Sequence, residues 1–401
     1  MGTLQEIADR VGVAASTVSR VLNNHPGMRI REEKARLIRQ VATDMKFRPS
    51  AAARSMRSNQ TRQIGIILRN SPDRPMDNLS VFEMILGINS RLAVDGYVVV
   101  MARIGDVEAS LRHDSRVFVE NHLDGVIVTG HLPESILKHV DELTPHCLYV
   151  DTNLFLTQNC IQRDEFAVGQ MIAQQIVARG YKRLGWYGYV PESARETLRN
   201  PQENAKERRS PDATTVTGAD PSHPPRFSMV FDIDTPTPTP PYYDDTLVRG
   251  RHYSESARLE GVKSVADKMG IPLEYITVHK RKTPETHAPA REQIRAACAC
   301  ETGIVATSKY EAGRFAALAY EMGFAPPRHY GLACCDFTYD LREMWPDIAG
   351  AVYDRYQLGG QVAEMMLQLL HNPGLCIDSI KIAPTWNEGA SLRPLAELPP
   401  G

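Results

Sequence analysis

The sequence predicts a small all-α domain at the N-terminus, followed by an α/β body of two lobes built on parallel sheets. Three observations lead to this fold class. The chain has 401 residues, more than one hydrophobic core usually organises. Apolar residues recur at helical spacing in three short segments before residue 48. From residue 63 onward, apolar strands alternate with amphipathic helices, a pattern typical of parallel sheets covered on both faces.

The charge distribution separates the two parts of the chain. The net charge is -2, but residues 1–62 hold twelve Lys or Arg and only five Asp or Glu. A basic head on an acidic body is typical of a domain that binds a polyanion.

Targeting and redox signals are absent from the sequence. No run of 18 apolar residues occurs, and the N-terminus lacks a signal-peptide pattern, so we expect a cytoplasmic protein without a membrane partner. The seven cysteines are scattered and are interpreted as reduced thiols. Cys298, Cys300, Cys334 and Cys335 lack partners at metal-ligand spacing, and we predict no metal or cofactor.

The first 47 residues predict a helix-turn-helix domain. A capping box over Thr3–Glu6 begins a helix with an apolar stripe from Leu4 to Val11, and Gly12 ends it. A second helix is predicted over about 15–23 and a third over about 31–46. The inward positions of the third helix are predicted to be Leu37, Ile38, Val41, Ala42 and Met45.

The predicted outward face of the second helix carries Ala15, Ser16, Ser19 and Arg20. Small residues near a helix N-terminus allow entry into the DNA major groove, where Arg20 can contact a guanine edge. The hydroxyls of Thr17 and Ser19 can alternatively bind phosphates. A three-helix bundle with a solvated polar face remains the alternative.

Residues 49–57 form an Ala-rich segment that is too short to be a stable helix alone. Folded on DNA beside a second copy, it would place Met56 as a wedge between base steps of the minor groove.

These segments resemble the lactose-repressor/galactose-repressor (LacI/GalR) family. The matching stretches are Ala15–Asn23, Phe47–Pro49, Ala53–Arg57 and Ile64–Ile67, and in the body Arg179–Gly185, Ser256–Val262 and Leu332–Asp336. The resemblance implies a headpiece (1–47), a hinge helix and linker (48–62), and a two-lobed periplasmic-binding-protein-like core. It places lobe 1 at 63–160 with about 354–381, and lobe 2 at 161–353 with about 382–396. Two positions depart: Ala14 replaces the usual Ser cap, and Met56 the usual hinge Leu.

The resemblance also implies site residues and partners. The DNA contacts are predicted at Thr3, Ala15, Ser16, Thr17, Ser19, Arg20, Asn23, Ser50, Ala53, Arg54 and Met56. The effector contacts are predicted at Asn70, Asp164, Arg258, Ser308 and Asp336. A carboxylate and a guanidinium together suit a polyol such as a sugar. The partners would be a near-palindromic double-stranded operator and a second copy of the chain, forming a homodimer.

Departures in the body leave the effector open. The family's Asn-Asp pair appears as Ser308-Lys309, and Cys334-Cys335 replaces a Gly-aromatic pair. The basic stretch 279–283 favours either an anionic effector or a solvated loop. Ten prolines lie within residues 190–250, which we interpret as a disordered insertion with polyproline-II partner binding as the alternative.

The function predicted from these signals is a DNA-binding transcription regulator, more specifically a repressor. A sugar-binding receptor without gene control is the alternative, although it leaves the basic head unexplained. An enzyme is not predicted, because no nucleophile elbow, phosphate-binding loop or zinc-protease motif occurs.

Overall fold

The computed structural model describes most of the chain in two separate compact units, which divide after Arg62. The described residues are 2–23, 30–47, 60–68, 79–103, 123–130, 140, 146–152, 155–188, 252–277, 284–299, 301–344, 346–372 and 374–395. Helical patterns in the sequence also predict helices over 110–121 and about 133–143. Both segments fall outside the described ranges, apart from Val140, as do the insertion 190–250 and the basic stretch 279–283.

Nine α-helices are formed by the described residues. They are α1 (Leu4–Val11), α2 (Ala15–Leu22), α3 (Glu32–Asp44), α4 (Leu79–Val94), α5 (Glu165–Ala178), α6 (Ser254–Met269), α7 (Pro284–Ala299), α8 (Lys309–Glu321) and α9 (Arg355–His371).

Twelve β-strands are formed by the same residues. They are β1 (Gln63–Leu68), β2 (Val98–Arg103), β3 (Gly125–Thr129), β4 (Cys147–Val150), β5 (Cys160–Arg163), β6 (Leu184–Gly188), β7 (Leu273–Thr277), β8 (Gly303–Ala306), β9 (Gly331–Cys334), β10 (Ala349–Val352), β11 (Ile380–Ile382) and β12 (Thr385–Asn387).

The N-terminal unit packs α1, α2 and α3 around one apolar centre. Its fully buried side chains include Ile7, Val18 and Ile38. The predicted capping box is confirmed, since the Thr3 hydroxyl accepts from the Glu6 N–H at 3.2 Å. Gly12 ends α1 at a φ of 70°, a left-handed conformation that glycine adopts without strain. One predicted inward residue of α3 is wrong: Leu37 is 46% exposed, and Ala35 is buried in its place.

The second unit contains the two predicted parallel-sheet lobes. The sheet of lobe 1 has the order β11-β5-β4-β3-β1-β2, and that of lobe 2 has the order β12-β10-β9-β8-β6-β7. Every pairing is parallel except that of β12 with β10. Helices α4 and α9 pack together in lobe 1, and α5 and α6 in lobe 2. No helix among the described residues is long and apolar enough to cross a membrane.

The boundary between the lobes differs from the prediction at residue 160/161. Strand β5 continues to Arg163 and pairs with β4, so the chain stays in the sheet of lobe 1 until α5 begins. The physical reason is the burial of Cys160 and Ile161, whose side chains belong to the core of lobe 1. The chain therefore passes between lobes at 163–165, at 352–355 and at 382–385.

Candidate functional site

The exposed face of α2 is narrower than the sequence predicts. Ser16 and Arg20 are exposed and lie four residues apart, on one side of the helix. Ala15 and Thr17 are half-buried, and Ala15 packs against the core of the N-terminal unit. Val18 and Val21 fix the opposite side of α2 in that core. The arrangement presents one guanidinium and one hydroxyl to a partner.

Ser19 does not lie on the outward face, which corrects that part of the prediction. Only 9% of its surface is exposed. The Asn23 amide donates to the Ser19 carbonyl at 2.7 Å and to the Ser19 hydroxyl at 3.3 Å. Helical spacing places position 19 one turn from Ala15 and Leu22, which pack against the core of the N-terminal unit, and Ser19 and Asn23 together close the end of α2.

The other predicted DNA contacts divide into two groups. Thr3 is exposed, and its hydroxyl caps α1. Four predicted hinge contacts lie outside the described residues: Ser50, Ala53, Arg54 and Met56. Asn70, predicted to contact the effector, also lies outside them.

Arg258 lies on α6 in lobe 2, with 4% of its surface exposed. Its Nε and Nη2 donate to the two carboxylate oxygens of Glu165 at 2.7 and 2.8 Å. Its Nη1 donates to the carbonyl of Thr307 at 2.7 Å. The arginine that the sequence predicts to contact the effector is therefore already hydrogen-bonded to two residues of its own chain, Glu165 and Thr307.

Asp336 follows β9 at the carboxyl end of the lobe 2 sheet and meets lobe 1. Its Oδ1 accepts a hydrogen bond from Arg355, the first residue of α9, and lies 3.5 Å from Nη1 of Arg163. Burial alone would raise the pKa of this carboxyl, but the guanidinium groups of Arg355, Arg258 and Arg163 hold the pKa well below its usual range. Asp336 thus stays ionised between the lobes.

Asp164 and Ser308 serve as helix caps. The Asp164 carboxylate accepts from the Ala167 N–H at 3.0 Å at the start of α5. The Ser308 hydroxyl accepts from the Tyr310 N–H at 3.2 Å at the start of α8. Both residues lie at carboxyl ends of strands, where ligands bind in such folds.

The prediction missed an aspartate at the lobe junction. The Asp151 carboxylate accepts from Nε of Arg163 at 2.6 Å and from the Arg163 N–H at 2.9 Å. From lobe 2, the Tyr253 hydroxyl lies 2.9 Å from Oδ1 of Asp151, and Nε2 of His252 lies 2.5 Å from the Asp151 carbonyl oxygen. Burial lowers the pKa of His252 to about 4, so the neutral ring donates this bond at pH 7. A signal was available, because Asp151 and Arg163 end neighbouring parallel strands.

Lys309, Cys334 and Cys335, which depart from the family pattern, are accommodated by their immediate surroundings. Lys309 lies 3.1 Å from a carboxylate oxygen of Asp340. Cys334 and Cys335 are fully buried, and burial raises the pKa of the Cys335 thiol to about 12. Among the described residues, no three His, Cys, Asp or Glu side chains are grouped as a metal site.

A three-helix head with an exposed α2, followed by two parallel-sheet lobes, defines a helix-turn-helix protein with a binding-protein-like core. Residues 3–50 match the family model described as bacterial regulatory proteins, lacI family. The N-terminal domain is therefore similar to that of the lacI family, and the predicted LacI/GalR resemblance is confirmed for this domain. The HTH-type transcriptional repressor PurR of Vibrio vulnificus (strain CMCP6) is 30% identical over 146 residues, 35% of this chain and 42% of that protein. The matched region thus spans less than half the length of this relative.

Two solved structures share the fold across nearly their whole length. The lac repressor dimer bound to operator and the anti-inducer ONPF matches with a TM-score of 0.66 at 14% identity, covering 97% of this chain and 98% of that chain. A LacI family regulator from Enterococcus faecium with bound ribose matches with a TM-score of 0.54 at 14% identity, covering 83% and 99%. The predicted fold class is confirmed by these matches.

Proposed function

We propose that the chain is a sequence-specific transcription repressor that reads an operator through α2. The observation that carries the proposal is the exposed pair Ser16 and Arg20 on a helix whose opposite side is fixed by Val18 and Val21. An arginine held on a rigid helix can donate two parallel hydrogen bonds to a guanine edge. The excess of positive charge in residues 1–62 supplies attraction to phosphates.

The second part of the proposal is control by a small sugar-like effector between the lobes. Asp336 of lobe 2 and the two arginines that it faces, Arg163 and Arg355, lie where the lobes meet. A relative with the same fold holds ribose, which supports a polyol ligand here. A ligand that contacts both lobes shifts their relative disposition, and the hinge and linker (48–62) would pass that shift to the DNA-binding head.

Arg20→Ala tests the DNA-binding part of the proposal. We expect the variant to lose discrimination at one position of each operator half-site, by about 1–3 kcal/mol, while binding to unrelated DNA changes little. Fluorescence anisotropy with an operator selected from a random library, and with single-base variants of it, measures the difference.

Arg295→Ala is the matched control, because this exposed arginine lies on α7 of the body. It should bind operator as the unchanged protein does. If the Arg20→Ala variant lost affinity equally for every DNA sequence, base recognition by Arg20 would be contradicted. Absence of operator binding by the unchanged protein would favour the receptor alternative.

A further inference from the structure

Both edges of the Arg258 guanidinium are engaged by groups of its own chain. An arginine binds a carboxylate or phosphate best through two parallel N–H groups on neighbouring nitrogens. The edge formed by Nε and Nη2 is taken by Glu165, at 2.7 and 2.8 Å. On the other edge, Nη1 is directed at the Thr307 carbonyl at 2.7 Å. Glu165 therefore occupies the position that an anionic ligand would need.

Glu165 is held too firmly for an anion to replace it. Its side chain has no exposed surface, and Nη1 of Arg163 lies 3.1 Å from its Oε1. It is the first residue of α5, where the helix dipole also favours a carboxylate. An anion that paired with Arg258 in place of Glu165 would leave the Glu165 carboxylate buried beside a second negative charge, which is strongly unfavourable.

The charges around this site balance. Of the residues that the structure describes, three carboxylates and three guanidinium groups meet at the lobe junction: Asp151, Glu165 and Asp336, with Arg163, Arg258 and Arg355. Lys309, the cation nearest in sequence to Thr307, pairs with Asp340. Within the described part of the chain, this cluster offers an anion no unpaired positive charge.

Asp336 is the carboxylate of this cluster that can still accept a hydrogen bond from a ligand. Its side chain is 25% exposed, compared with 17% for Asp151 and 0% for Glu165. Its Oδ1 faces Arg355 and Arg163, while Oδ2 meets no hydrogen-bond donor in the described residues. A carboxylate oxygen in this position accepts from a hydroxyl or an amine of a ligand.

We infer that Glu165 acts as an internal ligand of Arg258 and restricts the cleft to ligands that carry hydrogen-bond donors and no acidic group. The inference rests on the proposed role of the cleft as the effector site. It makes Glu165 a specificity-determining residue, and it argues against an anionic effector.

The test compares the unchanged full-length protein with Glu165→Gln, using inorganic phosphate as the probe. The amide keeps the size of the side chain but offers Arg258 one acceptor oxygen instead of two, so one of the two N–H groups at Nε and Nη2 is released and the cluster gains an excess positive charge. We expect phosphate to bind Glu165→Gln at least about tenfold more tightly than it binds the unchanged protein, read as thermal stabilisation and by calorimetry. Phosphate bound by the basic head contributes equally to both proteins.

Glu388→Gln is the matched control. Glu388 holds Arg179 through both of its carboxylate oxygens, at 2.7 Å each, and both residues lie outside the Arg258 cluster. This variant should bind phosphate as the unchanged protein does. A folded Glu165→Gln protein without gain in phosphate binding would overturn the inference, as would an equal gain in Glu388→Gln.

A second variant covers the case in which Glu165→Gln does not fold. Glu165→Ala leaves a space beside Arg258 that a small carboxylate can enter, so acetate should restore folding where chloride at equal ionic strength does not. Equal effects of acetate and chloride would refute the internal-ligand role. Both measurements are made without DNA, so loss of operator binding, which would refute the proposed function, is a separate outcome.

Discussion

At the residue scale, Asp336 joins the two lobes through charge. It lies on lobe 2, and the guanidinium groups that it faces belong to Arg163 at the end of β5 and Arg355 at the start of α9. Removing one partner of a mostly buried ion pair leaves the other charge uncompensated, which is more harmful than replacing both.

We predict that Asp336→Asn lowers the free energy of unfolding at pH 7 by about 3 kcal/mol. The pKa of Asp336 is depressed in the folded chain, so its stabilisation is fully present above the unfolded pKa of about 3.9. The difference between the two proteins should therefore be constant above about pH 5 and shrink as the pH falls below about 4. Urea unfolding at a series of pH values measures it, and a difference that grows on acidification would contradict it. Asp267→Asn, an exposed aspartate of α6, controls for removal of a surface carboxylate.

Single residues also show what sequence patterns can resolve. The motif around Arg258 led to a buried arginine at the lobe junction, but it gave no indication that Glu165 occupies its Nε and Nη2. Glu165 and Arg258 are 93 positions apart, and contacts over that distance depend on how α5 packs on α6. Ser19 was misplaced because a small polar residue at the edge of an apolar stripe fits either face of a helix.

At the scale of elements, α2 begins without a side-chain cap. Ala14 has an extended backbone at the N-cap position and makes no side-chain hydrogen bond to the helix. Ala14→Ser should raise the free energy of unfolding of the N-terminal unit by about 1 kcal/mol, because the hydroxyl can accept from a free N–H of the first turn. Thermal unfolding followed by circular dichroism measures this change. Ala14→Val is the control and should give no gain.

The paired helices of each lobe touch through glycine. A methyl group on Gly169 of α5 would lie 1.9 Å from the Arg258 carbonyl oxygen, and one on Gly261 of α6 would lie 2.1 Å from the Phe166 carbonyl oxygen. In lobe 1, Gly87 of α4 and Gly359 of α9 meet the opposite backbone at 2.0 and 2.1 Å in the same way. Backbones this close leave no room for a side chain.

Gly169→Ala should therefore destabilise the protein by about 3 kcal/mol, since α5 and α6 would be forced apart. The shift would also move Arg258 away from Glu165. Gly313→Ala on α8 is the matched control: a methyl group there meets nothing within 4 Å, and alanine should stabilise the helix by about 0.5–1 kcal/mol. Urea unfolding measures the free energy of unfolding of both variants. A similar loss of stability in both would rule out the close backbone contact at Gly169 as the cause.

Strands with a continuous apolar run can be predicted from the sequence, whereas short strands with exposed residues cannot. Strand β4 (Cys147–Val150) is recognisable in the sequence, because four consecutive apolar residues are typical of a central parallel strand that is buried on both faces. The three-residue strands β11 and β12 carry exposed residues, and only their pairing to β5 and β10 defines them. Local sequence does not contain that information.

At the scale of the whole molecule, lobe 1 presents apolar side chains that its own core does not use. Phe82 and Leu86 on α4 are 52% and 43% exposed, and Val98 and Met101 on the edge strand β2 are 61% and 57% exposed. We propose that these residues contribute to a homodimer contact, because the two half-sites of the proposed near-palindromic operator would require two heads.

The double change Phe82→Glu and Leu86→Glu should convert the proposed dimer to a monomer and weaken binding to the proposed operator, since each head would then bind alone. Light scattering coupled to size exclusion measures the mass, and anisotropy the affinity. Tyr320→Glu, a change at a 78% exposed aromatic residue of α8, tests whether any exposed apolar residue has the same effect. An unchanged dimer in the double variant would place the contact elsewhere.

The glycine contacts have a mechanical consequence. Because α4 is locked to α9 and α5 to α6 at the level of the backbone, neither helix pair can slide, and each lobe behaves as a stiff plate. Any relative rotation of the plates must then be absorbed by backbone torsions in the three short connections at 163–165, 352–355 and 382–385. We expect a change in the angle between the lobes to concentrate in these connections rather than inside either helix pair. A ligand that contacted both lobes would therefore act on these few backbone torsions.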